Sequence, residues 1–156
     1  MEETINIQII IKGCPIVKKN NAKTSLFSKD KTGRRIARET PIHYYTEAYK
    51  EWAKGAIQTC MVYKTKNKHI KFPITEKMNL KCLFFLPDTR RVDLSALYEG
   101  IQDVLSGNEK WANVNAELYQ IIFDDSVRYI GSHDGSRALL DLTNPRMEIT
   151  LTNYKI

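Results

Sequence analysis

The side chains of this chain that could do chemistry together are the carboxylates Asp93, Glu99 and Asp103 and the adjacent pair Asp124-Asp125. Oxygen ligands from two or three carboxylates suit a hard ion such as Mg²⁺ or Mn²⁺, which keeps several waters and takes further ligands from a phosphate. An ion held in that way would polarise a phosphoryl group and lower the pKa of a bound water, making hydroxide available as a nucleophile. Each acid also has a plainer reading. Asp93 can cap a helix, Glu99 and Asp103 can form a solvated face, and Asp124-Asp125 can make a turn.

Certain elements must hold these groups in place. After Asp93, the residues Leu94, Leu97, Tyr98, Ile101, Val104 and Leu105 recur at helical spacing up to Ser106-Gly107, so a helix is predicted with Asp93 as its N-cap. At about 100° per residue, Glu99 and Asp103 fall one turn apart on the face opposite the leucines. Residues 120–124 (QIIFD) read as a strand that ends at the acid pair.

The remaining pattern supplies the scaffold. Residues 4–12 alternate isoleucines with other residues, as a strand does. From Tyr44 to Tyr63 the apolar positions Tyr45, Ala48, Trp52, Ala56 and Cys60 predict an amphipathic helix, with Trp52 in the core. A charged linker with Pro73 follows, and then MNLKCLFFLP, whose near-continuous hydrophobicity predicts a central strand covered on both faces. Residues 107–119 are ambiguous, while 127–131 and 146–152 are predicted strands, and Asp134-Gly135 supplies turn chemistry between them. The expectation is one domain over residues 1–156 of the α/β (α+β) class, a small mixed β-sheet with two main helices packed on it.

Charge points to a partner. The formal net charge is +6, and between residues 18 and 38 the basic Lys18, Lys19, Lys23, Lys29, Lys31, Arg34, Arg35 and Arg38 meet one acid, Asp30. Residues 13–43 show no apolar period and read as a long basic loop. Such a stripe favours a polyanion, nucleic acid above all, because each phosphate neutralised releases counterions. A solvated loop is the alternative. Phe27 within it is either a wedge between bases or an ordinary anchor.

Other classes are disfavoured. Cys14, Cys60 and Cys82 are odd in number and widely spaced, and the histidines His43, His69 and His133 have no zinc-site spacing. Buried thiols in a reducing compartment are expected, with His133 in a hairpin turn. No run of about eighteen apolar residues is present, and the acidic start does not look like a secretory signal, so a soluble cytoplasmic protein is expected.

The stretch LPDTRRVDLSALYEGIQDVL, followed by FDDSV, resembles the core of the RusA family of Holliday-junction resolvases. Pro87-Asp88, Arg90-Arg91, Asp93-Leu94, Leu97, Asp103, Leu105 and Asp124-Asp125 stand in the family's order. Pro15, Asn20 and Asn21 match its loop after the first strand. The resemblance implies a homodimer that binds four-way junctions and cuts them with Mg²⁺ or Mn²⁺, with Asp93 and Asp125 as metal-binding aspartates.

Departures from the family pattern bear on activity. Ser95 stands where the family has a second aspartate, Ala96 where it has asparagine, and Glu99 where it has a catalytic lysine. Either Glu99 supplies the missing carboxylate or the chain binds junctions with reduced or no cutting. The expected metal site is therefore Asp93, Glu99 and Asp125, with Asp103 beside them in catalysis. Lys18, Lys19, Lys23, Arg34, Arg35, Arg90 and Arg91 are the expected DNA contacts. The segment between the helix and Asp124 is about ten residues longer than the family pattern leads one to expect.

Overall fold

The computed structural model describes residues 4–18, 22–89 and 92–156, with backbone alone at 22, 23 and 41–43. In chain order the elements are β1 (Asn6–Lys12), β2 (Ala22–Lys29), β3 (Arg35–Tyr45), α1 (Glu47–Lys66), β4 (Met78–Leu86), α2 (Leu94–Leu105), β5 (Ile130–Ser132), β6 (Arg137–Leu140) and β7 (Arg146–Asn153). The main sheet runs β1-β7-β4 with antiparallel pairing. At the far edge β5 pairs in parallel with the start of β4, and β6 with its end. This is the expected mixed sheet with two main helices. Among the described residues no helix is long and apolar enough to cross a membrane.

Alternation explains the layering. Ile7, Ile9 and Ile11 of β1 are buried beside Leu80, Cys82 and Phe84 of β4 and Met147, Ile149 and Leu151 of β7. Against that face α1 lays Tyr49, Trp52, Ala53, Ala56, Ile57 and Cys60, and α2 lays Leu97, Tyr98, Ile101, Val104 and Leu105. Burying each large side chain contributes about 1.5–3 kcal/mol. The helices approach closely at Gly100, where a Cβ would lie 3.4 Å from the Trp52 ring. Cys60 and Cys82 are buried and no disulfide joins the cysteines; burial pushes the Cys60 thiol up to about 12.

Several expectations are corrected. β4 alternates buried with half-buried positions, so it is not covered by a second layer. Its outer face is shielded by long polar side chains instead: the Arg146 guanidinium lies 3.7 Å from the Phe85 ring centroid, held by Asp141 and Glu148 at 2.8 Å each. α1 starts at Glu47, because Tyr44 and Tyr45 belong to β3 and Thr46 caps the helix through Tyr49 N–H at 3.3 Å.

Residues 120–124 form no strand. Ile121 and Ile122 donate their N–H groups to Leu105 O at 2.8 and 3.0 Å, closing the end of α2, and only an isolated bridge joins Ile122 to Ile74. The strand expected over 127–131 shrinks to β5. Residues 107–119 make two short 3₁₀ turns, at Lys110–Ala112 and Ala116–Leu118.

The largest correction concerns the basic segment. In place of a loop over 13–43, β2 and β3 pair with each other in a separate two-stranded sheet. Its tip is built by Asp30, whose Oδ1 accepts from Thr32 N, Thr32 Oγ1 and Arg34 N at 2.9, 2.6 and 2.9 Å. Gly33, with φ +83°, takes the left-handed turn position.

Candidate functional site

The acid helix carries its functional groups at separate levels. Asp93 occupies the N-cap position of α2, yet its side chain makes no capping bond and stands exposed. Glu99 is exposed on the polar face. Asp103 lies in the last turns, about 15 Å along the axis from Asp93 at 1.5 Å rise per residue. That spacing is too long for the two to share one ion with oxygen ligands at about 2.0–2.6 Å.

Asp103 turns inward to Lys18. The Lys18 ammonium donates to Asp103 Oδ2 and to Glu109 Oε1, the latter at 3.3 Å. Glu109 is wholly buried and also accepts from the Tyr49 hydroxyl at Oε1 and from Trp111 Nε1 at Oε2. Two tyrosine rings complete the lining, with Lys18 Nζ 5.1 Å from the Tyr45 centroid and 5.8 Å from that of Tyr49. Both carboxylate oxygens of Glu109 thus have a donor, as a buried carboxylate requires.

One ammonium against two carboxylates leaves a negative excess, and the ionisation of Asp103 and Lys18 reflects it. Burial raises the Asp103 pKa, the Lys18 contact opposes the rise, and the Glu109 charge adds to it. For Lys18 burial acts downward, but Asp103 and Glu109 outweigh it and hold the ammonium above its ordinary value. The Tyr49 phenol is driven well up by burial and then by Glu109.

Asp125 belongs to the same electrostatic neighbourhood. Partial burial raises its pKa, and the charges of Asp103 and Asp124 raise it further. Its neighbour Asp124 is held down by a hydrogen bond from the Ser126 hydroxyl. The structure therefore relates Asp103 to Asp125, two of the expected residues. Among the described residues no three of the His, Cys, Asp or Glu side chains form a group that could hold a metal ion. Asp93, Glu99 and Asp125 are thus not gathered into the expected ligand set. Ser95, where the family has an acid, is exposed on α2.

The expected DNA contacts divide. Arg34 and Arg35 are exposed at the start of β3, and the Arg35 guanidinium lies 3.9 Å from the Phe27 ring centroid. Lys18 is only 7% exposed and is taken up by two carboxylates, so an outward phosphate contact does not describe it. Lys19, Arg90 and Arg91 lie outside the described residues, as does the side chain of Lys23. His133 is structural: Nδ1 lies 3.0 Å from Leu80 O and Nε2 lies 3.2 Å from Gln102 Nε2, with the ring centroid 4.1 Å from that of Tyr98 at a tilt of 40°.

Sequence reasoning missed Glu109 as a partner of Lys18, and Tyr49 and Trp111 as the donors to Glu109. Glu109 sits in a polar stretch without an apolar period, and its lysine is 91 positions away, so no local pattern marks it. Compared with protein-family models and with curated proteins, the chain matches none.

Proposed function

We propose that the chain acts on branched DNA, a four-way junction being the type ligand, as a protein of RusA type. The action that the geometry supports best is binding through the β2–β3 ribbon. The observation that carries this reading is an exposed antiparallel ribbon that pairs with no other described strand and bears Lys29, Lys31, Arg34, Arg35 and Arg38. A two-stranded hairpin alone is marginally stable in water, and cations on it gain by releasing counterions from phosphates. Homodimerisation belongs to the same proposal, since the resemblance implies it. So does a cytoplasmic location, supported by cysteines that form no disulfide.

Structure-selective cutting by a Mg²⁺- or Mn²⁺-dependent endodeoxyribonuclease rests on the motif order from Pro87 to Asp125. A bound ion would supply Lewis-acid activation of the phosphodiester and of water. The described carboxylates fit such an ion incompletely, because they form no three-ligand group and Asp103 is engaged by Lys18.

Binding without cutting is the second reading. It is favoured by Ser95 and Ala96 at family positions for aspartate and asparagine, and by the ammonium on Asp103. A synthetic four-way junction incubated with the protein and Mg²⁺ or Mn²⁺ separates the two. Both readings expect a shifted band in a gel; the nuclease alone yields nicked products. A junction that is neither shifted nor cut at about 50 mM salt contradicts both.

A further inference from the structure

Two grooves meet at one exposed tyrosine. The first, about 310 Å³, runs along the ribbon and is lined by Ser25, Phe27, Ser28, Lys29, Arg35 and Tyr44. The second, about 400 Å³, lies between the root of the ribbon and α1, and includes Tyr44, Tyr45, Lys50, Lys54 and Trp111. Tyr44 lines both, so the two adjoin as one strip that carries aromatic rings and cations.

Two rings on this strip, Phe27 and Tyr44, are open to solvent. Phe27 is 43% and Tyr44 44% exposed, so a flat ligand can reach both rings. The guanidinium lying 3.9 Å from the Phe27 centroid already presents a planar, cationic face. At the other end the Trp111 indole N–H donates to the buried Glu109, which fixes the ring that lines the second groove. Lys29, Arg35, Lys50 and Lys54 flank the rings; Glu47, 3.1 Å from Lys50, is the acid beside them.

We propose that this strip is a binding track for unpaired DNA, with Phe27 and Tyr44 each stacking on a base of the same strand and the flanking cations contacting the phosphates. Aromatic faces suit bases of any identity, and a groove lined by cations suits the backbone of a single strand. Paired bases keep their faces inside the duplex stack, so a duplex can use only the cations. The inference rests on the DNA-binding reading and deepens it: the ligand becomes the unpaired strand exposed where duplexes branch.

The test uses the full chain with two probes of equal length, a single-stranded oligo-dT carrying 2-aminopurine and the same sequence in a duplex. Wild-type protein quenches the 2-aminopurine of the single strand. Phe27→Ala and Tyr44→Ala each weaken binding to the single strand about tenfold, within the range of loss expected when one stacked base is forfeited. Both variants leave duplex affinity within about twofold and circular dichroism unchanged. Equal losses on single strand and duplex, or no loss on either, overturn the track while leaving DNA binding in place. Wild-type binding to duplex but not to single strand does the same. Failure of wild-type protein to bind either probe overturns the track, and the DNA-binding reading falls with it only if a four-way junction is also left unshifted.

Discussion

Lys18 shows how the role of a residue depends on what its charge faces. In a run of basic residues it looks like one more phosphate contact, yet its ammonium contacts both Asp103 and the wholly buried Glu109. Removing one partner of a buried pair leaves an uncompensated charge at a cost of about 3–5 kcal/mol. Lys18→Met should therefore lower the unfolding free energy by that order in urea titrations. An exposed phosphate-contacting lysine would give a change within about 0.5 kcal/mol.

Asp125 makes the opposite prediction. Its folded-state pKa is raised above 3.8 by burial, Asp103 and Asp124, so the fold favours the protonated form. Its contribution to stability is whole below pH 3.8 and is lost as pH rises through the folded value. Asp125→Asn should match or exceed wild-type stability at pH 7, by up to about 0.5 kcal/mol, and the difference should close as pH falls below 3.8. On a junction the same variant should bind at least as tightly, and any cutting by the wild-type protein should disappear. Full cutting activity in Asp125→Asn would remove that residue from the ligand set.

At the scale of elements, the ribbon is stabilised by a turn rather than by a core. Its β1 counterpart buries three isoleucines, whereas Leu26, Phe27 and Ile36 of the ribbon remain 52%, 43% and 43% exposed. Asp30→Ala removes the acceptor of three hydrogen bonds at the tip. Amide exchange should then accelerate between residues 24 and 38 with protection of β1, β4 and β7 unchanged, since local opening need not involve the core. Uniform acceleration across the chain would mean that the ribbon folds as part of the body.

That same difference explains what could be read from the sequence. β1, β4, β7, α1 and α2 were legible because burial against one core imprints a period of two or of about 3.6 on their apolar residues. The ribbon meets the body at its root, where the Tyr45 ring lies 5.1 Å from that of Tyr49, while Leu26, Phe27 and Ile36 stay exposed and carry no such period; Asp30-Lys31-Thr32-Gly33 forms its turn. Residues 120–124 misled because Ile121 and Ile122 are apolar yet satisfy the end of α2 rather than a neighbouring strand. At the candidate site the acids were visible by type and spacing. Their distribution along about 15 Å of helix, and the pairing of Lys18 with Asp103 across 85 positions, depend on tertiary structure alone.

For the whole molecule, a sheet-and-helix body with a closed charge cluster carries a basic, aromatic ribbon on its outside. Cations that neutralise phosphates are recognised by their response to salt, whereas surface lysines and arginines without a ligand leave none. The most direct measurement is the affinity for a four-way junction as a function of salt, for wild-type protein and for the combined variant Lys29→Gln, Arg34→Gln and Arg35→Gln. If the ribbon holds the DNA, log affinity falls linearly with log salt for the wild-type protein, and the variant's slope is shallower by about 0.9 for each phosphate no longer neutralised. An unchanged slope and affinity in the variant would contradict the account, because the DNA would then be held elsewhere on the surface.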